Sequence, residues 1–233
     1  FDAIAMQADN LWEKELSNIR IEAADSVKTI FYTGLYHAYI HPNNTADVNG
    51  EYQATDMTVR KAAGGKQYST FSLWDTYRAA HPLYTLLKPQ RDAAFIQSLV
   101  RQYETYGYLP VWQLWNDENY CMIGNHSIPV IVDAVEKGLK GFDLEKAYEA
   151  VKNSSLRDHP GAPFKYLDQY EYFPEDLESQ SVSKGLEIAF NDWCVAQLAK
   201  KLGKTDDYNY FIKRSQYIKN IFDAETGFFR GKD

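Results

Sequence analysis

The chain has 233 residues, of which 45% are hydrophobic, 24% are charged and 15% are aromatic. This length and composition are typical of a globular protein with one large domain or two small ones, and with a sizeable core. Its 25 Lys and Arg residues form no basic cluster and are outnumbered by 32 Asp and Glu residues, which argues against nucleic acid or anionic lipid as a partner. No run of about 18 apolar residues is present, so no membrane span is predicted.

Helical periodicity dominates the sequence. Most of the eight predicted helices follow one another as antiparallel hairpins. Pro42 ends the second helix, Pro82 is expected to kink the third, and Gly107 lies where the fourth terminates. A long loop rich in Asn, Asp and Gly precedes the third helix, with a short strand at 50–54. The predicted helices span 4–20, 26–41, 72–88, 90–106, 127–139, 143–153, 178–201 and 205–222.

Helical hairpins with so few strands predict an all-α fold. A helical bundle, an α-solenoid and part of an α/α toroid all fit this pattern, and no internal repeat of fixed length separates them. The long loops fall on one side of the hairpins, which is how a toroid presents its site. We therefore predict an incomplete (α/α)6 toroid of about four helical hairpins with long loops, with under roughly a tenth of the residues in strands.

Cysteine and histidine residues provide neither a disulfide framework nor a zinc site. Cys121 and Cys194 lie on separate predicted elements, so two buried free thiols are expected, with a single disulfide as the alternative. His37 and His41 have the i, i+4 spacing that can chelate a transition metal, but no third ligand accompanies them. They are interpreted as packed or capping histidines.

Two adjacent carboxylates, Asp117 and Glu118, lie in the aromatic-rich stretch "WQLWNDENYCMIG". If Trp112, Trp115 and Tyr120 surround Glu118, its charged form loses solvation and its pKa rises. A carboxyl group with a raised pKa is what a general acid needs to protonate a leaving oxygen near neutral pH. A solvated loop is the simpler alternative for two neighbouring acids, and the sequence alone does not exclude it.

A polar and an apolar stripe run along the predicted helix 178–201. An isolated helix would expose its polar stripe to solvent, whereas an inner helix of a toroid would turn it toward the substrate cavity. Gln180, Glu187 and Asn191 offer the hard oxygen ligands that calcium prefers. The polar stripe consists of Gln180, Lys184, Glu187 and Asn191, and the apolar stripe of Val182, Leu186, Ala189 and Trp193.

The stretch "SLWDTYRAAHP" begins a predicted helix with Ser72 as its cap and Asp75 three residues later, a spacing like that of a capping box. Trp74, Arg78 and His81 follow one stripe of that helix. Asp75 either caps the helix and pairs with Arg78, or forms with Trp74 and Arg78 a cluster able to hold vicinal hydroxyls. The spacing does not decide between the two.

Four long stretches, in the right order, resemble glycoside hydrolase family 92. They read "FYTGLYHAYIHPN", "YSTFSLWDTYRAAHPLYTLLKP", "GYLPVWQLWNDENYCMIGNHSIPVIVDAVEKG" and "SVSKGLEIAFNDWCVAQLAKKLGK". Members of that family are calcium-dependent, exo-acting α-mannosidases that invert the anomeric centre. The resemblance extends over most of residues 1–233 and implies an enzyme that hydrolyses terminal α-mannosidic bonds of mannose-containing glycans.

The resemblance implies that this chain is one part of a larger architecture. The family joins an N-terminal β-sandwich to a C-terminal (α/α)6 toroid, and its site lies where the two meet. Residues 1–233 correspond to the N-terminal part of the toroid, without the β-sandwich and the remainder of the toroid. The "GNDD"-like motif that supplies the family's catalytic base is absent, so the chain alone is expected to be inactive. The family also implies a secreted, periplasmic or cell-surface location.

The resemblance also assigns roles to individual residues. The family motif "NETxCMIG" supplies the catalytic acid, which falls on Glu118, with Asp117 and Asn119 in place of the usual Asn and Thr. Inversion needs a second carboxylate roughly 6.5–9.5 Å from the acid, and Asp117 is too close in sequence to provide it. The residues implied for substrate binding are Trp74, Asp75, Trp112 and His126, and those implied for calcium are Glu187 and Gln180.

Two other functions remain open at this level. A non-catalytic helical module that binds carbohydrate or a partner protein would tolerate Glu118→Gln without loss of function. Another α/α-toroid enzyme, such as a polysaccharide lyase, would use Tyr or His bases on an anionic substrate. The net charge of −7 and the absence of clustered Arg argue against a lyase.

Overall fold

The computed structural model describes residues 1–233, which divide into two compact units, Phe1–Asn43 and Asn44–Asp233. The fold is mostly helical, and each of its eight strands has only two or three residues. The helices are α1 (Asp2–Leu16), α2 (Asp25–Ile40), α3 (Leu73–Thr76), α4 (Ala80–Leu87), α5 (Pro89–Tyr106), α6 (Ser127–Glu136), α7 (Leu144–Ser154), α8 (Lys165–Tyr170), α9 (Ser181–Lys201) and α10 (Thr205–Arg214). The strands are β1 (Asn43–Asn44), β2 (Glu51–Gln53), β3 (Val59–Lys61), β4 (Tyr68–Ser69), β5 (Gln113–Leu114), β6 (Asp117–Glu118), β7 (Phe222–Asp223) and β8 (Phe228–Phe229).

All eight predicted helical segments contain helix, but two of them differ in detail, and one segment expected to be irregular contains a helix. The segment 72–88 is divided into α3 and α4 by a break at 77–79, so the kink expected at Pro82 is wrong. Pro82 instead lies in the first turn of α4, where its missing N–H would have no helical partner. The segment 154–177, expected to be irregular, contains the short helix α8, and α10 ends at Arg214 before a 3-10 turn. Gly107 ends α5 in the left-handed conformation, as predicted.

The first unit is a hairpin of α1 and α2. The rings of Trp12 and Tyr36 meet between the two helices, with centroids 4.5 Å apart. The Tyr32 hydroxyl donates to the carbonyl of Ile19 in the connection, at 2.9 Å. Because α1 contains no buried residue, apolar side chains such as Ile4 remain exposed on it.

In the second unit, α9 packs against α6, α7 and α10. A buried ion pair joins α9 to α10: Arg214 donates from Nε to Asp192 Oδ2 at 2.7 Å and from Nη2 to Oδ1 at 2.6 Å. Arg214 also donates to the carbonyl of Ser155, just after α7, and lies over the ring of Phe164. Such a bidentate pair, with its remaining donors satisfied, fixes the geometry of the helices that it joins.

The polar stripe of α9 faces the interior of the second unit from Lys184 onward, whereas Gln180 at its start is exposed. Lys184 and Asn191 are buried, whereas Trp193 of the predicted apolar stripe is 46% exposed. The buried polar groups have partners: Lys184 pairs with Glu178, and Asn191 Oδ1 accepts the backbone N–H of Asn125 at 2.8 Å. An inward polar stripe is what the toroid alternative required, and the satisfied hydrogen bonds make its burial tolerable.

Both cysteines are free. Cys194 is buried, as expected, and burial raises the pKa of its thiol to about 12. Cys121 is exposed, contrary to expectation, because it lies in the irregular loop that follows β6.

None of the helices combines the length and the apolar character that a transmembrane segment needs.

Candidate active site

The segment with the two adjacent carboxylates folds as a tight hairpin. β5 and β6 pair antiparallel, so that Gln113 lies opposite Glu118. The two residues between the strands, Trp115 and Asn116, have φ angles of 50° and 63°. Two successive left-handed residues are typical of a type I′ turn, whose twist matches that of the strands. The pairing of the two strands thus fixes Glu118 opposite Gln113, two residues after the turn.

Hydrogen bonds from three side chains hold the tip of this hairpin. The backbone N–H of Asn116 donates to Ser69 Oγ at 2.7 Å, and its carbonyl accepts from Thr55 Oγ1 at 2.7 Å. The Asn116 side chain donates to Thr45 Oγ1 at 3.0 Å. Because the turn is bonded on three sides, the strand that carries Glu118 has little freedom to move.

The carboxylate of Glu118 is buried and enclosed by backbone amides. Its Oε2 accepts the N–H of Val111 at 2.6 Å. Its Oε1 accepts the N–H of Trp112 at 3.0 Å and that of Tyr120 at 2.7 Å. Burial raises the pKa of Glu118 by more than these amides lower it, so the pKa lies above the ordinary value for Glu. This is the direction that the aromatic sequence context predicted.

The aromatic pocket itself differs from the prediction. Trp112 and Tyr120 contact Glu118 through their backbone N–H groups, and Trp115 at the turn is 77% exposed. Asp117 is exposed beside the buried Glu118, because neighbouring residues of a strand point to opposite faces. The two carboxylates therefore have different environments, and only Glu118 has the desolvation that a general acid requires.

A second group of side chains surrounds Glu187 on α9. Its Oε1 accepts from Trp74 Nε1 at 3.2 Å and lies 3.5 Å from Arg78 Nη2, and its Oε2 lies 3.2 Å from His126 Nε2. The Arg78 guanidinium lies over the rings of Trp74 and Tyr77, at 4.4 Å and 4.8 Å. Tyr77 also stacks on His126, with centroids 4.2 Å apart and planes 8° apart. Trp74, His126 and Glu187, all predicted site residues, thus meet in one cluster.

The contacts of Glu187 keep it ionised. Burial raises its pKa, but hydrogen bonds from His126 and Trp74 and the charge of Arg78 lower it by more. Its pKa therefore lies below the ordinary value for Glu, opposite to that of Glu118. Two carboxyl groups whose environments shift their pKa values in opposite directions are typical of a site that separates proton donation from charge stabilisation.

Trp112 and Asp75, the other two residues predicted to bind substrate, are joined through Ser72. Trp112 Nε1 donates to Ser72 Oγ at 2.9 Å, and the Ser72 hydroxyl donates to Asp75 Oδ2 at 2.5 Å. Asp75 does not pair with Arg78, which bonds Glu187 instead. Since Trp74 and Asp75 are neighbours on α3, this helix links the Glu118 hairpin to the Glu187 cluster.

Three contributors to these contacts were not predicted from the sequence, and the position predicted for a fourth residue is wrong. Tyr77 and Ser72 had been given no place in the site, although both belong to the stretch around α3. Gly124 has φ of 75°, and a Cβ there would lie 2.9 Å from His126 Nε2 and 3.1 Å from Glu187 Cβ, so only glycine fits. The glycine directly before "NH" was the available signal for this close approach. His81 lies away from Arg78, buried 3.3 Å from Asp92.

The residues predicted for calcium offer only part of a coordination shell. Calcium takes about six to eight oxygen ligands. Glu187 offers a negative charge, but its oxygens already contact Trp74, Arg78 and His126. Gln180 is exposed at the start of α9, where its backbone carbonyl accepts from Lys184 N at 2.9 Å. No group of three His, Cys, Asp or Glu side chains in residues 1–233 is arranged to hold an ion. The remaining oxygens would have to come from backbone carbonyls, amide side chains, water or another part of the enzyme.

Comparison with solved structures gives close relatives along the whole chain. A family GH92 α-mannosidase of Bacteroides thetaiotaomicron is 40% identical with a TM-score of 0.95, over 100% of this chain and 32% of that chain. The structure of that α-mannosidase in complex with mannoimidazole is 40% identical with a TM-score of 0.91, over 98% of this chain and 30% of that chain. A family GH92 inverting mannosidase of the same organism is 31% identical with a TM-score of 0.91, over 100% and 33%.

Sequence comparison agrees with the structural matches. An uncharacterized secreted glycosidase of Arthroderma benhamiae is 23% identical over 252 residues, covering 100% of this chain and 28% of the relative. The chain thus spans a third or less of the length of these relatives. The predicted all-α fold is confirmed as the helical part of such enzymes. The family described as the glycosyl hydrolase family 92 catalytic domain matches residues 1–233. The chain therefore belongs to glycosyl hydrolase family 92.

Proposed function

We propose that this chain is the N-terminal part of the (α/α)6 catalytic domain of an inverting, calcium-dependent exo-α-mannosidase that hydrolyses terminal α-mannosidic bonds of glycans. The β-sandwich and the remainder of the toroid complete the site, and the enzyme acts in a secreted, periplasmic or cell-surface location. The observation that carries this proposal is Glu118, a buried carboxyl group with a raised pKa in a family of glycosidases.

In the proposed reaction, the catalytic proton lies on Oε2 of Glu118. Oε1 already accepts two N–H groups, from Trp112 and Tyr120, whereas Oε2 accepts one, from Val111. Since a carboxyl oxygen has two lone pairs, Oε2 keeps one for the proton. Burial holds the group protonated to a higher pH than an ordinary Glu, and the proton passes to the glycosidic oxygen as the bond breaks.

The second carboxylate of the inverting reaction comes from outside residues 1–233 in this proposal. It activates a water molecule on the opposite face of the sugar, roughly 6.5–9.5 Å from the acid. Asp117 does not suit this role, because it is adjacent to Glu118 and its Oδ1 accepts the backbone N–H of Glu118 at 2.9 Å. The chain therefore provides the acid, and another segment provides the base.

The clustered aromatic and polar side chains are proposed to bind the mannose unit. Trp112 and Trp74 offer flat faces for the sugar ring, and Asp75 and His126 offer hydrogen-bonding groups for its hydroxyls. Asp75 is exposed, and its second carboxylate oxygen is free to accept from vicinal hydroxyls.

The proposal is tested by replacing Glu118 with Gln in the complete enzyme. On a mannosyl disaccharide, kcat should fall by about 10²–10⁴-fold, the typical contribution of general acid catalysis. On an aryl mannoside with an acidic leaving group the loss should be far smaller, because that leaving group departs without a proton. Asp117→Asn is the matched control, and it should cost little on either substrate because Asp117 is exposed.

The two substrates also separate loss of the acid from structural damage. A Gln side chain would place an NH2 group against the N–H of Val111, so the unfolding midpoint of each variant must be measured. Damage to the hairpin would lower kcat on both substrates equally. Equal losses together with an unchanged unfolding midpoint would therefore show that Glu118 positions the substrate without donating a proton. Unchanged kinetics on both would favour a non-catalytic role.

Calcium is proposed to bind at Glu187, with Gln180 as a further contributor. When bound, the ion would orient and polarise the sugar hydroxyls that it contacts. We expect the complete enzyme to lose activity with a calcium chelator and to recover it with calcium, and Glu187→Gln to raise the calcium concentration required. Full activity of a thoroughly demetallated enzyme would refute this part of the proposal.

A further inference from the structure

Ser72 lies immediately before α3, where the sequence predicted a helix cap. Its side chain accepts no hydrogen bond from the backbone of α3. Its hydroxyl instead accepts from Trp112 Nε1 at 2.9 Å and donates to Asp75 Oδ2 at 2.5 Å. Ser72 thus connects two segments that are 40 residues apart in the sequence.

The direction of both hydrogen bonds is fixed by chemistry. The indole Nε1–H of Trp112 can only donate, and the ionised carboxylate of Asp75 can only accept. The Ser72 hydroxyl must therefore accept from one and donate to the other, and it has a single favourable orientation. A side chain bonded in this way fixes the orientation of the indole against α3.

Trp112 is held at both ends by these contacts. Its indole is bonded to Ser72, and its backbone N–H is one of the two donors to Glu118 Oε1, at 3.0 Å. The Ser72 bond restrains the side chain of the same residue whose backbone N–H donates to Glu118, so its loss would remove one restraint on the position of residue 112. The Ser72 hydroxyl can therefore influence Glu118 without contacting it.

We propose that Ser72 is a positioning residue for the proton donor: it holds Trp112 so that the Trp112 N–H stays on Oε1 of Glu118 and leaves Oε2 to deliver the proton. This inference rests on the proposed role of Glu118. Misplacing a catalytic group by about 1 Å can cost up to about 10²-fold in rate. The loss of kcat should appear on substrates whose leaving group must be protonated as the bond breaks.

The test compares Ser72→Ala with Ser72→Thr in the complete enzyme, on a mannosyl disaccharide and on an aryl mannoside with an acidic leaving group. Ser72→Ala should lower kcat on the disaccharide by about 10-fold or more and affect the aryl substrate much less. Ser72→Thr keeps the hydroxyl and should restore most of the disaccharide rate. Ser215→Ala is the matched control, since its hydroxyl bonds only groups close to it in the sequence, donating to the carbonyl of Ile212 and accepting from Gln216 Nε2.

A double-mutant cycle tests whether Ser72 acts through Trp112. Trp112→Phe removes the donor of the same hydrogen bond, so adding Ser72→Ala to Trp112→Phe should cause no further loss on the disaccharide. Additive losses, equal losses on both substrates, or no loss with Ser72→Ala would each overturn the inference. If Glu118→Gln does not lower kcat more on the disaccharide than on the aryl mannoside, the proposed function fails. If Glu118→Gln shows this difference and Ser72→Ala does not, only the proposed role of Ser72 fails.

Discussion

At the scale of single residues, His159 is a buried imidazole held in its neutral form. Its ring stacks on Tyr108, with centroids 4.9 Å apart and planes 13° apart. Its Nδ1 accepts the backbone N–H of Gly161 at 3.1 Å, which places the hydrogen of the neutral ring on Nε2. Burial lowers the pKa of His159 to about 4, and the opposing charge of Asp158 restores only part of the shift.

This histidine should make the folded state less stable in acid. Between pH 6.5 and about 4 the unfolded chain binds a proton that the folded chain does not, so the free energy of unfolding falls as the pH falls. The shift corresponds to about 3 kcal/mol. His159→Phe keeps a ring on Tyr108 and removes the titration, so its unfolding free energy, measured in urea, should depend less on pH over that interval. Tyr108→Phe is the control and should keep the wild-type slope; an unchanged slope in His159→Phe would contradict the prediction.

At the scale of elements, the β5–β6 hairpin combines a strained residue and an anchoring residue in one two-residue turn. Trp115 has φ of 50°, a conformation that disfavours bulky side chains, and its ring is 77% exposed. Asn116 tolerates the left-handed region and also bonds Thr45 through its side chain.

Substitutions at these two neighbours should have opposite effects on stability. Trp115→Asn relieves the strain and should raise the free energy of unfolding by about 0.5–1 kcal/mol. Asn116→Ala keeps the strained φ and removes the bond to Thr45, so it should lower the free energy of unfolding by about 1–2 kcal/mol. Denaturant unfolding of each variant measures its free energy of unfolding relative to that of the wild type. Destabilisation by Trp115→Asn would mean that the indole makes a contact more valuable than its exposure indicates.

At the scale of the whole molecule, an open apolar groove of about 740 Å³ lies among α4, α6 and α9 in the second unit. Its apolar lining comes from Pro82, Pro129 and Val132 and from the partly exposed rings of Phe190 and Trp193. Charged side chains also line the groove, namely Arg78, Asp133, Glu136, Lys200 and Lys201. Exposed apolar surface of this kind favours association between molecules.

We expect this chain by itself to associate in solution through this exposed apolar surface. Trp193→Glu places a charge in the groove and should shift the chain toward monomer in size-exclusion chromatography with light scattering. Phe228→Glu is the control, because Phe228 is 70% exposed on β8 and lies outside the groove. A wild-type chain that stays monomeric at high concentration would refute this prediction.

Local signals in the sequence determined the helices and pointed to Glu118 as the candidate acid. Apolar residues at helical spacing predicted each long helix, and Gly107 marked the end of α5 because glycine adopts a positive φ at little cost. Motif resemblance is the basis for proposing Glu118 as the acid. The adjacent aromatic residues predicted the direction of its pKa, although the burial comes with an amide enclosure that no side-chain pattern encodes.

Tertiary structure alone decided which of these residues meet. Two-residue strands such as β5 and β6 are too short to show an alternating pattern, so the hairpin that carries Glu118 was not predicted. The bond from Trp74 to Glu187 spans 113 residues, and the bond from Trp112 to Ser72 spans 40, distances over which periodicity carries no information. Ser72 had the spacing of a cap, but the packed indole of Trp112 competed for its hydroxyl. The sequence by itself determined where helices form and which residue types are available; the packing of α3 and α9 decided which of them share a site, because that depends on contacts between segments distant in the chain.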